Sequence, residues 1–153
     1  MGWQDDLSVG YAPLDDTHRE FSDALDWLLQ ADLAGLEAAL GAVQAHCRSH
    51  FGMEDAWMQE TDFPARECHA AEHAAVLASI DGVMRRLQAG EIEPARSLAR
   101  ALADWFPPHV QHLDSALAHW VCKRRLGGRP VVLRGRLGER RSRLEPILER
   151  PSC

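Results

Sequence analysis

Six histidine and glutamate side chains stand where an amphipathic helix would place apolar residues against a core. His50 and Glu54 are four residues apart, as are His69 and His73, and such pairs project side by side from one helix face. A single histidine on an apolar face is usually an ordinary core or boundary residue. Burying many polar groups without partners, however, costs roughly 1 to 3 kcal/mol each. The joint pattern, listed by residue, therefore favours a metal site: His18, His50, Glu54, His69, His73 and His109.

Counting donors suggests two ions rather than one. Asp114 follows His109 by five residues and brings the set to five imidazoles and two carboxylates. Seven protein ligands exceed the needs of one six-coordinate ion, whereas two ions bridged by both carboxylates and one solvent oxygen use all seven. The ion with two histidines would then keep an open position for a small ligand. Imidazole and carboxylate suit iron, manganese and zinc alike, so the donors alone do not select the metal.

Four stretches of the chain carry these residues and apolar side chains at alternating steps of three and four, which is typical of helices with one face against a core. Asp32 is the predicted N-cap of the second helix, while Pro64 and Pro94 are expected in the first turns of the third and fourth. Short connections make neighbouring helices antiparallel. We therefore predict an all-α, antiparallel up-down-up-down four-helix bundle. The stripes begin at Leu14, Leu36, His69 and Leu98 and end at Leu28, Trp57, Leu87 and Leu117.

The fourth stripe contains Pro107 and Pro108 immediately before His109. Two prolines remove two amide donors and clash with the preceding turn. We expect either a kinked fourth helix or two helices, the second starting near Pro108, with a bend in both cases.

Charged residues are distributed unevenly between the two parts of the chain. The 153 residues carry a net charge of -6, and residues 123–153 hold 10 of the 17 basic residues but only 3 of the 23 acidic ones. We predict a four-helix bundle over residues 1–122 and a basic, partly irregular C-terminal extension over 123–153. The acidic bundle argues against nucleic-acid binding. The extension could fold over the bundle, or it could dock a protein partner or an anionic surface.

The N-terminal residues lack the basic start and apolar core of a signal peptide, and no apolar run approaches the ~18 residues of a membrane span. We expect a cytoplasmic protein without a membrane span.

Several motifs resemble those of the hemerythrin family, specifically its single-domain bacterial members. The resemblance extends over about residues 3–120. The matching residues are Trp3 with Leu7–Gly10, Leu14–Glu20, His50–Glu54 with Met58, His69–His73, and Trp105 through His109 to Asp114.

The resemblance implies a non-heme di-iron centre that binds O2 reversibly. Its two iron ions (Fe2+/Fe3+) would be bridged by Glu54, Asp114 and an oxo or hydroxo group. One iron would be held by three histidines and the other, which carries the open position for O2, by two: His69, His73 and His109, then His18 and His50.

Large apolar residues near these ligands are expected in the core, where they would also form a dry O2 pocket. They are Phe51, Trp57, Met58, Trp105 and Phe106. The remaining histidines, His46, His112 and His119, are expected to face solvent or to support the ligands.

Alternative functions stay open at this point. The chain could be a di-iron enzyme that reduces peroxide or nitric oxide or handles iron for repair, or a metal-dependent regulatory module acting through its extension. No Glu-x-x-His motif of the ferritin-like di-iron enzymes occurs. There is also no Ser/His/Asp, Cys/His or phosphate-loop constellation. The absence of these motifs argues against an enzyme, and the resemblance implies an O2-binding protein, whether for delivery, storage or sensing.

Overall fold

Helices make up nearly all of the chain that the computed structural model describes, residues 5–128 and 130, and this part contains no strand. A short 3-10 turn, Asp5–Leu7, precedes the first helix. The α-helices are α1 (Ala12–Gln30), α2 (Leu36–Glu60), α3 (Arg66–Gln88), α4 (Glu93–His109) and α5 (Ser115–Leu126). A π-helical segment, Val110–Asp114, joins α4 to α5 without a break.

The helices pack as a closed antiparallel bundle. Helix α2 packs against α1 and α3, and α4 packs against α3 and α1. Because α4, the π segment and α5 are contiguous, they form the fourth rod of the bundle. The predicted all-α four-helix bundle is therefore confirmed. The predicted extension, residues 123–153, lies outside the described residues except for 123–128 and 130, and of these, residues 123–126 continue α5.

Two of the roles predicted for residues at helix starts are wrong. Helix α2 begins at Leu36 with Gly35 as its N-cap residue, and Asp32 instead accepts a 2.8 Å hydrogen bond from the Gly35 amide in the preceding turn. Pro64 lies before α3, which begins at Arg66. Pro94, as predicted, occupies the first turn of α4.

The prolines of the fourth rod produce a different irregularity from those expected. Pro107 and Pro108 both lie inside α4, and the wider π turn begins directly after His109. The Ser115 amide donates to the Val110 carbonyl, five residues back. The alternative of two separate helices is therefore wrong, whereas a bend of the helix axis stays a prediction.

Apolar side chains fill the bundle on both sides of the layer that contains the predicted histidine and carboxylate ligands. The larger cluster contains the leucines of α1 and α2, with Phe21, Ile80 and Phe106 among its members. The smaller cluster lies toward the other end of the bundle and comprises Met58, Phe63, Leu117 and Val121. No helix among the described residues is long and apolar enough to cross a membrane.

Candidate metal centre

All seven predicted ligands are buried in the interior of the bundle, and none is more than 4% exposed. Each rod contributes to the set, so the site exists only when the four are packed together. Helix α1 supplies His18, α2 supplies His50 and Glu54, α3 supplies His69 and His73, and the fourth rod supplies His109 and Asp114.

The side chains form two overlapping groups that share both carboxylates, Glu54 and Asp114. In each group one nitrogen or oxygen atom per residue lies within 4.8 Å of the others. The first group, hereafter the three-histidine group, adds His69, His73 and His109; the second, hereafter the two-histidine group, adds His18 and His50.

The Nε2 atoms of the histidines converge on the carboxylate oxygens. His69 Nε2 lies 3.2 Å from Glu54 Oε2 and 3.0 Å from Asp114 Oδ1. The Nε2 atoms of His109 and His73 lie 3.1 Å from Asp114 Oδ1 and 3.6 Å from Glu54 Oε2, respectively. His50 Nε2 contacts Glu54 Oε1. In the two-histidine group, His18 Nε2 and Asp114 Oδ2 form a 2.9 Å hydrogen bond.

Most of these inward atoms have no hydrogen bond of good geometry within the described part of the chain. They are the Nε2 atoms of His50, His69, His73 and His109, both oxygens of Glu54, and Asp114 Oδ1. Buried polar atoms are almost always satisfied, so a cluster of unsatisfied ones requires an explanation. Imidazole nitrogen and carboxylate oxygen are donors that transition-metal ions accept. The residues present therefore fit a buried cation centre.

The π segment explains why His109 and Asp114 can act together. In an α-helix, residues five apart point roughly 140° away from each other, so their side chains would not meet. A π turn closes between residues i and i+5, and here the His109 Nε2 and Asp114 Oδ1 atoms are 3.1 Å apart. The irregular backbone thus brings together two predicted ligands that are five residues apart.

Two carboxylates outside the predicted set accept hydrogen bonds from histidine nitrogens that face away from the centre. His73 Nδ1 donates to Asp55 Oδ1 over 3.1 Å, and His109 Nδ1 donates to Glu72 Oε2 over 3.0 Å. Neither carboxylate was predicted from the sequence, because only positions facing the core were considered as ligands. The available signal was adjacency, since Asp55 directly follows Glu54 and Glu72 directly precedes His73.

Burial and the neighbouring charges shift the pKa values of several groups in the site in opposite directions. Burial and the neighbouring His69 and His109 lower the pKa of His73 to about 2, so this imidazole is neutral. Burial alone would raise the pKa of Asp114, but the surrounding histidines outweigh it and hold that pKa well below its usual value. Burial likewise acts to lower the pKa of His69, yet Asp114 and Glu54 raise it to about 9. In the absence of metal, a proton on His69 therefore partly balances the two carboxylates.

The predicted pocket residues lie on different sides of the centre. The Phe51 ring stacks on His73, with ring centroids 4.0 Å apart, and Trp105 lies 4.3 Å from His109. Phe106 meets the ring of His18 edge-on at 5.6 Å.

The other two predicted pocket residues, Trp57 and Met58, pack against residues other than the predicted ligands. Trp57 packs edge-on against Tyr11, and Met58 belongs to the smaller apolar cluster. Phe21, which the sequence analysis did not select, lies 4.5 Å from the Phe106 ring.

The three remaining histidines lie outside both ligand groups. His112 and His119 are exposed. His46 is half-buried, with its ring centroid 5.5 Å from that of His50. Burial and the neighbouring His50 lower the pKa of His46 to about 4.

Comparison with known proteins gives consistent matches. The family model described as the Hemerythrin HHE cation binding domain matches residues 9–121. A bacteriohemerythrin from Ralstonia nicotianae is 37% identical over 122 residues, which are 80% of this chain and 89% of that relative. A bacteriohemerythrin from Stenotrophomonas maltophilia is 31% identical over 123 residues, covering 78% of this chain and 80% of the relative.

The fold agrees with these matches. A crystal structure of a hemerythrin mutant superimposes with a TM-score of 0.68 at 22% sequence identity, covering 75% of this chain and 92% of the other. The relatives are named as hemerythrins and not as enzymes, in agreement with the expectation from the sequence. The chain belongs to the hemerythrin family.

Proposed function

We propose that the protein binds O2 reversibly at two iron ions held by the seven buried ligands. The observation that carries this proposal is that the inward-facing nitrogen and oxygen atoms form two groups sharing Glu54 and Asp114, and that most of these atoms make no hydrogen bond within the described residues. Membership of the hemerythrin family supports iron as the metal. Two iron ions bound there would supply the electrons that O2 takes up on binding and returns on release.

The residues of the chain have distinct tasks in this proposal. The five imidazoles bind as neutral donors through Nε2 and so limit the negative charge at the centre to that of two carboxylates. Because Glu54 and Asp114 belong to both ligand groups, we assign them as bridges. The two-histidine group has one donor fewer, and we place the open position for O2 there.

Apolar rings cover that side of the centre. Phe106 is 1% exposed and lies against His18, and Phe21, also 1% exposed, packs behind it. A wall of this kind excludes water and protons from the open position. O2, which is small and uncharged, partitions into such an environment, whereas superoxide would have to leave through it as an anion. The aromatic wall therefore favours release of O2 over loss of superoxide.

Metal analysis joined to visible spectroscopy tests the proposal. The purified protein, loaded with Fe2+ under nitrogen, is cycled between air and nitrogen while its spectrum and iron content are recorded. We expect two iron ions per chain and a charge-transfer band that appears in air and fades under nitrogen. Irreversible bleaching in the first cycle, or tight binding of a single zinc ion with no colour, would overturn the proposal.

A further inference from the structure

Two ligands of the three-histidine group are held on two sides, in the same manner. His73 is bonded at its outer edge by Asp55 and covered on its face by Phe51, with the two ring planes 3° apart. His109 is bonded at its outer edge by Glu72 and covered by Trp105. Each ring therefore has its position and its rotation fixed before any cation binds.

The outer carboxylates connect the helices as well as the rings. Asp55 lies on α2 and bonds a histidine of α3, whereas Glu72 lies on α3 and bonds a histidine of the fourth rod. Both side chains are about half exposed, 46% for Asp55 and 47% for Glu72. They can therefore stay hydrated and negatively charged while they accept the hydrogen bond from Nδ1–H.

No matching support reaches His50 in the two-histidine group. Its Nδ1 atom is buried and makes no hydrogen bond within the described part of the chain. Its ring is flanked by those of His46 and Phe51, both tilted, with centroids 5.5 Å away. Two histidines of the three-histidine group therefore have an outer carboxylate that His50 lacks, while His69 Nδ1, like His50 Nδ1, makes no hydrogen bond within the described residues.

A carboxylate behind a ligating histidine changes what that ligand can do. A hydrogen bond from Nδ1–H to the carboxylate keeps the proton on Nδ1 and so fixes the tautomer; the Nε2 lone pair is then free for the metal, and the imidazole becomes a stronger donor. Loss of such a partner typically weakens metal affinity about 10- to 100-fold.

We propose that Asp55 and Glu72 are positioning residues that make the three-histidine group the tighter of the two cation subsites, so that the first cation binds there. This inference rests on the proposed function only in treating both groups as cation sites. It adds an order of filling and assigns that order to two residues that contact no metal.

Titration of the metal-free protein with Zn2+ in competition with a chromophoric chelator tests the order. Zinc avoids the oxidation that accompanies Fe2+ and gives the affinities without reference to O2. We expect a tight step and a weaker step in the unaltered chain. His50→Ala should keep the tight step, whereas His73→Ala should lose it.

The carboxylates are then tested singly with Asp55→Asn and Glu72→Gln. Each should weaken the tight step about 10- to 100-fold and leave the weaker step unchanged. The matched control is Glu67→Gln, which removes one carboxylate from an exposed position of α3 that also lines the groove beside Asp55. It should change neither step.

Several results would overturn the inference. These are two steps of equal affinity in the unaltered chain, equal weakening of both steps in the amide variants, or an effect of Glu67→Gln as large as theirs. Circular dichroism of each metal-free variant identifies any that fails to fold, and Asp55→Glu, which keeps the carboxylate, should then restore most of the tight step. Zinc binding in the expected order without reversible O2 binding by the iron form would reject the proposed function alone.

Discussion

The two ligand groups share a pair of carboxylates but differ in what surrounds them. Behind the three-histidine group lie half-exposed carboxylates, the stacked ring of Phe51 and the tilted ring of Trp105. On the two-histidine side, His18 meets the edge of Phe106, with Phe21 behind it. Outer carboxylates thus accept hydrogen bonds in the three-histidine group, and Phe106 and Phe21 cover the group in which we place the open position. The comparison suggests that one side is built to hold a cation and the other to admit a neutral ligand.

The largest effect is expected from the carboxylates that belong to both groups. Glu54→Ala and Asp114→Ala should each abolish binding of both ions, because each variant removes a donor from both groups at once. Iron content and the charge-transfer band measure the result. Asp104→Ala, an exposed carboxylate of α4, is the control and should keep both ions. A variant that retained one full equivalent of iron would contradict the shared role.

Removing the metal should lower stability, and unequally for the two groups. A cation present at 1,000 times its Kd stabilises the folded state by about 4 kcal/mol, so chelation should lower the Tm by on the order of 10 °C. His73→Ala should lose more of this metal-dependent shift than His50→Ala, since it disables the tighter group. Differential scanning calorimetry with and without chelator measures the shift, and His119→Ala should behave as the unaltered chain. The reverse order of the two variants would count against the comparison.

Proton release distinguishes two ligands within the three-histidine group. The pKa of His69, about 9 without metal, lies above its usual value, so this imidazole is protonated at pH 7 and must lose its proton to bind a cation. His73, with a pKa of about 2, has none to lose. Because the cation displaces this proton, metal affinity should rise about tenfold per pH unit up to about pH 9 and then level off. Calorimetric titration with Zn2+ in buffers of different ionisation enthalpy counts the protons, and release that persists above pH 10 would contradict the assignment to His69.

The smallest effect is expected from the aromatic rings. Phe106→Leu opens the apolar wall beside His18 and should speed autoxidation several-fold, seen as faster fading of the band in air. Trp105→Leu makes a comparable change beside His109, on the far side of the shared carboxylates, and should change that rate less. Equal acceleration in the two variants would mean that the apolar cover does not distinguish the two sides.

The bundle was predictable because burial follows helical periodicity. The apolar positions predicted for one face of α1 and of α2 are buried in the structure. The histidines were recognisable in the sequence because they are polar residues at positions on these faces where apolar residues are expected. Helix starts were less predictable, since Asp32 can cap either a helix or a turn, and the chain uses it for the turn.

The backbone that joins His109 to Asp114 was not predictable from periodicity. Apolar residues spaced three and four apart imply an α-helix throughout, and this spacing places Leu113 on the inward face. In the structure Asp114 is buried instead, and Leu113 is only half-buried. Proline signalled a disturbance without specifying its kind. The outer carboxylates were missed for a related reason: whether Asp55 faces solvent or a histidine of the neighbouring helix depends on how the helices pack.

The π segment also has a kinetic consequence. Pro107 and Pro108 provide no amide hydrogens, and the turn that follows departs from α geometry, so the backbone ladder is weakest where the fourth rod carries its ligands. Proteins open locally with free energies below that of global unfolding, and a segment with fewer backbone hydrogen bonds loses less when it opens. A brief opening of these few residues would withdraw a donor of the three-histidine group and a shared carboxylate together, while the other three rods stayed packed. The lifetime of a bound cation would then be governed by this local opening rather than by unfolding of the whole bundle.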